Sequence, residues 1–403
     1  MTLDSYGNIV QTTGAKTVLL VMDGLGGLPD TEHPETELEF AKTPNLDTLA
    51  AEGITGLHEP VASGVTPGSG PGHLGLFGYT PTKYFVGRGV LSALGVDFQL
   101  RPGDVAARGN FCTIDDEGVV TDRRAGRIST EKNRELCEIL SSIELDGAQA
   151  FVQPVKEHRF LVVLRGTGLG PDVADTDPHE VGKKPHDPEP ASTESAHTAE
   201  LLRSFLSQAR ERLADHHPAN MCLLRGFSTL PQWPSLRESY GVRGAAVAAY
   251  PMYKGVSRLL GMDVYDAEAT MESKIGFVKE HWDEYDFFFV HVKKTDSHGE
   301  DGAFMKKVAL IEEVDAGIPD LMALGVDVIC VTGDHSTPAA MKAHSWHPVP
   351  ALIWSHRGNI RPDEVTTFGE RPAIHGSLGP RFEAHALLPL TLAHAGCFDK
   401  YGA

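Results

Sequence analysis

Three short apolar runs, far apart in the chain, each lead into an aspartate, and this repetition constrains the fold more than any other feature of the 403 residues. Residues 17–22 (TVLLVM) meet Asp23-Gly24-Leu25-Gly26-Gly27, residues 287–292 (FFFVHV) run through Lys293-Lys294-Thr295 to Asp296, and residues 326–331 (VDVICV) end in Thr332-Gly333-Asp334-His335. Runs of this length and near-continuous apolarity predict buried parallel strands. The glycines after Asp23 permit a tight turn that exposes its carboxylate. Parallel sheets carry their chemistry in the crevice beyond the carboxyl ends of the strands. One acid there is ordinarily a turn residue or a helix cap. Three acids, two of them with histidines close behind (His298, then His335, His344 and His347), are more economically read as one metal site gathered from distant segments. The expected class is α/β, with a mostly parallel sheet flanked by helices.

A nucleophile candidate lies in residues 65–78, VTPGSGPGHLGLFG. A small, glycine-flanked loop opens a predicted helix from Pro71, and free backbone N–H groups at a helix start bind phosphate. Ser69 in that position can attack phosphorus when a divalent cation lowers its hydroxyl pKa. The competing role is an ordinary helix-capping serine; the aspartates favour the nucleophile. Ser63 and Thr66 are the weaker rivals, further from the helix start. Residues 43–50 (TPNLDTLA) predict another helix, with Pro44 at its first position.

Composition excludes some partners. A formal charge of −19 opposes binding to nucleic acid or an anionic membrane surface, though not to a small phosphorylated metabolite. Five scattered cysteines without a CxxC pair fit a reducing cytoplasm. The first sixteen residues carry no basic end followed by an apolar stretch, and no run reaches membrane-spanning length, so the expected location is cytoplasmic.

Several segments together resemble a known family: VLLVMDGLGG, TPNLDTLAAEG, TPGSGPGHLGLFGY, GRG at 87–89, DTDPH at 175–179, KGVSRLLGMDV at 254–264, KKTDSHGEDG, TGDHSTP and HSWHPVP. The chain is similar to cofactor-independent phosphoglycerate mutases of the archaeal type, within the alkaline phosphatase superfamily. The resemblance implies an alkaline-phosphatase-like core and conversion of 3-phosphoglycerate to 2-phosphoglycerate through a phosphoserine on Ser69. No 2,3-bisphosphoglycerate is required. It implies two divalent ions, one held by Asp23, Ser69, Asp334 and His335, the other by Asp296, the residue four positions later, and His344, with His347 a bystander. Many relatives carry histidine four residues after the aspartate, whereas this chain has Glu300, with His298 and Asp301 as substitutes nearby. An oxygen ligand in place of nitrogen favours manganese or magnesium over zinc or cobalt. Lys254 matches a lysine that contacts the phosphoryl group. A phosphohydrolase or phosphotransferase acting on another small ester, such as phosphohomoserine, is the alternative, and a metal-stabilised anion-binding protein a third.

Residues 96–234 differ in character, with a strand-rich stretch at 153–164 and a Pro/Asp/His-rich loop at 166–190. They are expected to form a smaller inserted α/β domain that binds substrate and keeps water from the phosphoserine, between core segments 1–95 and 235–403. Its basic residues include Arg124, Arg127, His158, Arg159, Arg165 and Arg225. Of these, Arg127 and the His158-Arg159 pair are the candidates to hold a carboxylate and a phosphate.

Overall fold

The computed structural model describes residues 3–266 and 270–402. The chain divides into two compact units, residues 1–85 with 233–403, and residues 86–232.

The first unit is built on an eight-stranded sheet. Its order is Gly379–Glu383, Ile54–Glu59, Val349–Ser355, Val328–Thr332, Thr17–Met22, Phe287–Val292, Gly244–Val247, Asp263–Tyr265. All neighbours are parallel except the two pairs made by Val349–Ser355. The three apolar runs are adjacent central strands, buried along their whole length. Their register sets Met22 beside Val292 and Val21 beside Thr332, so all three chains leave the sheet at the same edge. The third strand starts at Val328, two residues later than the apolar run suggested. Asp327 explains the delay: its carboxylate accepts the Lys16 N–H at 2.8 Å, so it ties the entry to the neighbouring strand instead of joining the buried sheet.

Helix Phe304–Met322 covers one face. Its Val308, Ile311, Val314, Ile318 and Leu321, spaced by three and four, are buried against Val18, Leu20, Val290 and Ile329. Each such side chain contributes about 1.5–3 kcal/mol by leaving water. Helix Ser69–Leu76 begins two residues before Pro71, so Ser69 is its first residue and Gly68 the cap, with no side chain closing that end.

In the second unit, strand Val105–Ile114 pairs antiparallel with Val120–Asp122, Arg159–Gly166 and Met221–Ser228, and Ala148–Lys156 extends the sheet. Helices Thr130–Ser141 and Ala196–Leu213 pack their apolar faces on it. This unit begins ten residues earlier than 96. Val90 and Ala93 of helix Arg88–Gly95 pack with Ala106, Leu161 and Val163. The close approach requires Gly89, where a Cβ would lie 2.0 Å from the Ala106 carbonyl oxygen. At the other end, residues 233 and 234 stay with the first unit, where Trp233 meets Tyr79 and Tyr84 and the Tyr79 hydroxyl donates to the Pro234 carbonyl at 2.5 Å. Among the described residues no helix is long and apolar enough to cross a membrane.

Candidate active site

Because the three central strands end together, Asp23, Asp296 and Asp334 arrive at one edge with almost no solvent exposure. His335 stands between them. Its Nε2 lies 3.4 Å from Asp23 Oδ1, 3.3 Å from Asp334 Oδ2 and 3.1 Å from Ser69 Oγ. Asp296 Oδ1 is 3.4 Å from Nε2 of His344, whose ring stacks on His335 with centroids 3.8 Å apart. Two groups of potential ligand atoms therefore share His335: Asp23, Asp334 and His335, and Asp296, His335 and His344.

The donor chemistry fits divalent ions. Asp23 Oδ1 and Asp334 Oδ2 are buried carboxylate oxygens without a hydrogen-bond partner, and both face His335 Nε2. A buried carboxylate oxygen left without a hydrogen bond is costly, and a cation bound by two such oxygens and an imidazole nitrogen would offset that cost. Burial works to raise the Asp23 carboxyl, but Lys293, His291 and His335 outweigh it and hold it well below the usual carboxylate range. Asp334 is likewise low: burial and Asp23 push it up, and His335 and His73 pull it down further. Burial lowers His335, so its ring is neutral and able to act as a ligand. His344 is lifted to about 9; burial opposes this, but Asp296 and the Pro67 carbonyl hold its proton. A metal at His344 Nε2 must displace that proton.

Glu300 stands apart from both groups. Its Oε1 is 4.0 Å from His344 Nε2, and its side chain is more than half exposed. His347 bonds to Ser345 through Nδ1 and joins neither group. Ser63 is engaged by Glu59 through its hydroxyl, which removes one rival to Ser69. Lys254 pairs with Asp266.

The second unit gathers the other candidates. His158 is buried, and its pKa falls to about 3 through burial first and then the charges of Arg159, Arg108, Arg124 and Arg127. Arg127 is exposed on a turn with φ of +54°. Strand pairing places Arg108 opposite Arg225. Arg225 Nη1 is 3.6 Å from the buried Asp177, which Arg123 grips at 2.9 and 2.7 Å with two parallel bonds. Arg165 is committed elsewhere, bound twice by Asp104.

A sequence profile of 2,3-bisphosphoglycerate-independent phosphoglycerate mutase matches residues 50–220. A probable enzyme of that name from Thermus thermophilus is 50% identical over 400 residues, 98% of each chain. A second, from Aquifex aeolicus, is 47% identical over the full length of both. The chain belongs to this family. Among solved structures, the cofactor-independent phosphoglycerate mutase of Thermoplasma acidophilum is 32% identical with a TM-score of 0.69, over 94% of this chain and all of that one. A Pyrococcus horikoshii protein, also 32% identical, superposes at 0.83 over 96% and 99%. As a phosphoglycerate mutase the chain is an isomerase.

Around these candidate ligand atoms of the mutase lies a layer that the sequence reading missed. Lys293 Nζ is 3.4 Å from Asp23 Oδ2 and also pairs with Asp296. His291 Nε2 is 3.1 Å from Asp23 Oδ2, and Tyr253 stacks on His291. His73 Nδ1 donates to the Ser69 carbonyl at 2.8 Å and lies 3.0 Å from Asp334 Oδ2. A signal existed in each case, because His291 lies in the strand that leads to Asp296, Lys293 directly follows it, and His73 follows Ser69 by one helical turn. In the second unit, Asp177 within DTDPH carried the signal for Arg123 and Arg225.

Proposed function

We propose that this mutase interconverts 3-phosphoglycerate and 2-phosphoglycerate by passing the phosphoryl group through Ser69, in glycolysis and gluconeogenesis in the cytoplasm. We place it in the archaeal-type branch of the alkaline phosphatase superfamily. The observation that carries the reading is the convergence of Asp23 Oδ1, Asp334 Oδ2 and Ser69 Oγ on His335 Nε2, with Ser69 at the open start of a helix.

Asp23, Ser69, Asp334 and His335 hold one divalent ion, and Asp296, His344 and Glu300 the other, manganese or magnesium by the weight of carboxylate oxygen. When bound, the ions lower the serine hydroxyl pKa and neutralise charge on the transferring group. Ser69 Oγ attacks phosphorus, its bond to phosphorus forms as the C3 oxygen–phosphorus bond breaks, and the serine proton ends on the 3-hydroxyl of glycerate. In the return step the 2-hydroxyl oxygen bonds to phosphorus as the Ser69 Oγ–phosphorus bond breaks, and the proton of the 2-hydroxyl goes to Ser69 Oγ. The uncapped N–H groups of Ser69 and Gly70 point along the helix dipole and bind phosphoryl oxygens. Arg127, His158 and Arg159, joined by Arg123 and Arg225, hold the carboxylate and phosphate of the substrate. Lys254 contacts the phosphoryl group after leaving Asp266.

Incubation with manganese and 3-phosphoglycerate tests this. Expected are 2-phosphoglycerate without added bisphosphoglycerate, little free phosphate, and a quenched sample with phosphate on the Ser69 peptide. Phosphate as the main product identifies a hydrolase, and a Ser69→Ala chain that still isomerises refutes the nucleophile.

A further inference from the structure

The loop after His335 carries a side chain that touches both groups of ligand atoms. Thr337 has no solvent exposure, and each of its polar groups has a partner. Its N–H donates to Gly26 O at 3.0 Å and its carbonyl accepts from Lys307 Nζ at 3.0 Å. Its hydroxyl lies 2.7 Å from Asp296 Oδ1 and 3.0 Å from His335 Nδ1. The space is closely fitted: a Cβ on Gly24 would lie 2.5 Å from the Thr337 Oγ1, and one on Gly299 would lie 2.1 Å from its carbonyl oxygen.

A hydroxyl has one proton to give. The Asp296 carboxylate pairs with Lys293, and its Oδ1 lies 3.4 Å from His344 Nε2 and accepts from the Thr337 hydroxyl. The Thr337 proton therefore goes to Asp296 Oδ1. Oγ1 is left as an acceptor, and His335 Nδ1 must carry a hydrogen. Nε2 is then the bare nitrogen, aimed at Ser69, Asp23 and Asp334. Without the hydroxyl the preference reverses, because the carboxylate oxygens at 3.3 and 3.4 Å attract a proton on Nε2, and a protonated nitrogen cannot ligate.

We propose that Thr337 is a positioning residue that couples the two metal sites, fixing the tautomer of His335 with one end of its hydroxyl and the orientation of Asp296 with the other. Lys307 supports it from below. It is fully buried on helix Phe304–Met322, and its ammonium bonds both Thr337 O and Gly26 O, which clamps the two ligand-bearing loops together. The inference rests on the proposed metal sites. Partners that orient a ligating histidine typically set metal affinity by tenfold to a hundredfold.

The test uses the whole chain, stripped with chelator, dialysed and titrated calorimetrically with manganese. The parent is expected to bind two ions. Thr337→Val keeps the shape without the hydroxyl and should weaken binding by about tenfold to a hundredfold, whereas Thr337→Ser should stay within about threefold of the parent. A Val variant that binds as tightly as the parent, or a Ser variant as weak as Val, overturns the proposal. If Val does not fold, nitrogen-15 histidine spectra of the stripped parent decide, with His335 assigned by its loss in His335→Gln. Hydrogen on Nδ1 supports the proposal and hydrogen on Nε2 overturns it. A parent that binds no manganese defeats the metal reading instead, and the tautomer still judges Thr337.

Discussion

Gly72→Ala should separate the placing of Ser69 from the stability of the fold. Gly72 lies in helix Ser69–Leu76, and a Cβ there would fall 2.4 Å from the Asp334 carbonyl oxygen, 3.2 Å from its carbon and 3.3 Å from Asp334 Cβ. Ordinary contact begins at 3.4 Å, so the helix and the ligand loop must part by roughly 1 Å (3.4 less 2.4). The obstacle is backbone, which cannot rotate away. Overpacking of this kind costs about 1–3 kcal/mol. Alanine returns about 1 kcal/mol of helix propensity, leaving a net loss of about 0–2 kcal/mol. The same movement displaces Ser69, three residues upstream, from Asp334 and His335, and a misplacement of about 1 Å costs on the order of a hundredfold in rate. Urea melts and conversion of 3-phosphoglycerate, measured on one preparation, should show a rate loss far exceeding the stability loss. Gly276→Ala is the control, since nothing lies within 4 Å of its Cβ in helix Met271–Glu280. It should stabilise by about 1 kcal/mol and leave turnover alone. A Gly72→Ala enzyme with turnover within threefold of the parent would refute the argument.

Other perturbations have equally definite outcomes. Glu300→Ala should weaken one manganese about tenfold in a calorimetric titration and His298→Ala much less; the reverse order would give the ligand role to His298. Asp177→Asn leaves Arg123 and Arg225 without their shared anion, and a chemical melt should show a loss of about 3–5 kcal/mol. Stability within 1 kcal/mol of the parent would mean that water or another acid already serves these arginines. Burial, the largest effect, lifts the Glu370 carboxyl from 4.5 to about 7 although Thr36 and the Gly27 N–H bind it. The folded state thus holds its proton more tightly than the unfolded one, so this contribution is full below pH 4.5 and declines as pH rises to about 7. Glu370→Gln should remove that decline and gain about 3 kcal/mol over the parent at pH 8 relative to pH 4.5; parallel pH–stability curves would show that the carboxyl is not shifted.

Three of the candidate ligands, Asp23, Asp296 and Asp334, could be brought together from the sequence because each lies close behind a strand end. An apolar run read along the chain fixes where Asp23, Asp296 and Asp334 leave the sheet, and parallel pairing of adjacent strands does the rest. The start of the Ser69 helix was misplaced by two residues because Pro71 signals an early helix position without saying which. The unit boundary was missed for a similar reason: helix Arg88–Gly95 has an apolar face, and only the close seat of Gly89 on Ala106 shows which sheet receives it. The supporting layer was less legible still. Lys307 is separated from Gly26 by 281 residues and from Thr337 by 30, and a lysine in an amphipathic helix reads as a solvated residue until its ammonium is found with no exposure. Such a charge survives inside a protein only when fixed carbonyls and a carboxylate surround it, here Gly26 O, Thr337 O and Glu37 at 3.7 Å. Two loops whose backbone oxygens must meet one ammonium cannot drift apart without leaving it unpaired. The buried lysine that the sequence concealed therefore opposes separation of the loops carrying Asp23 and His335, and it does so without touching either side chain.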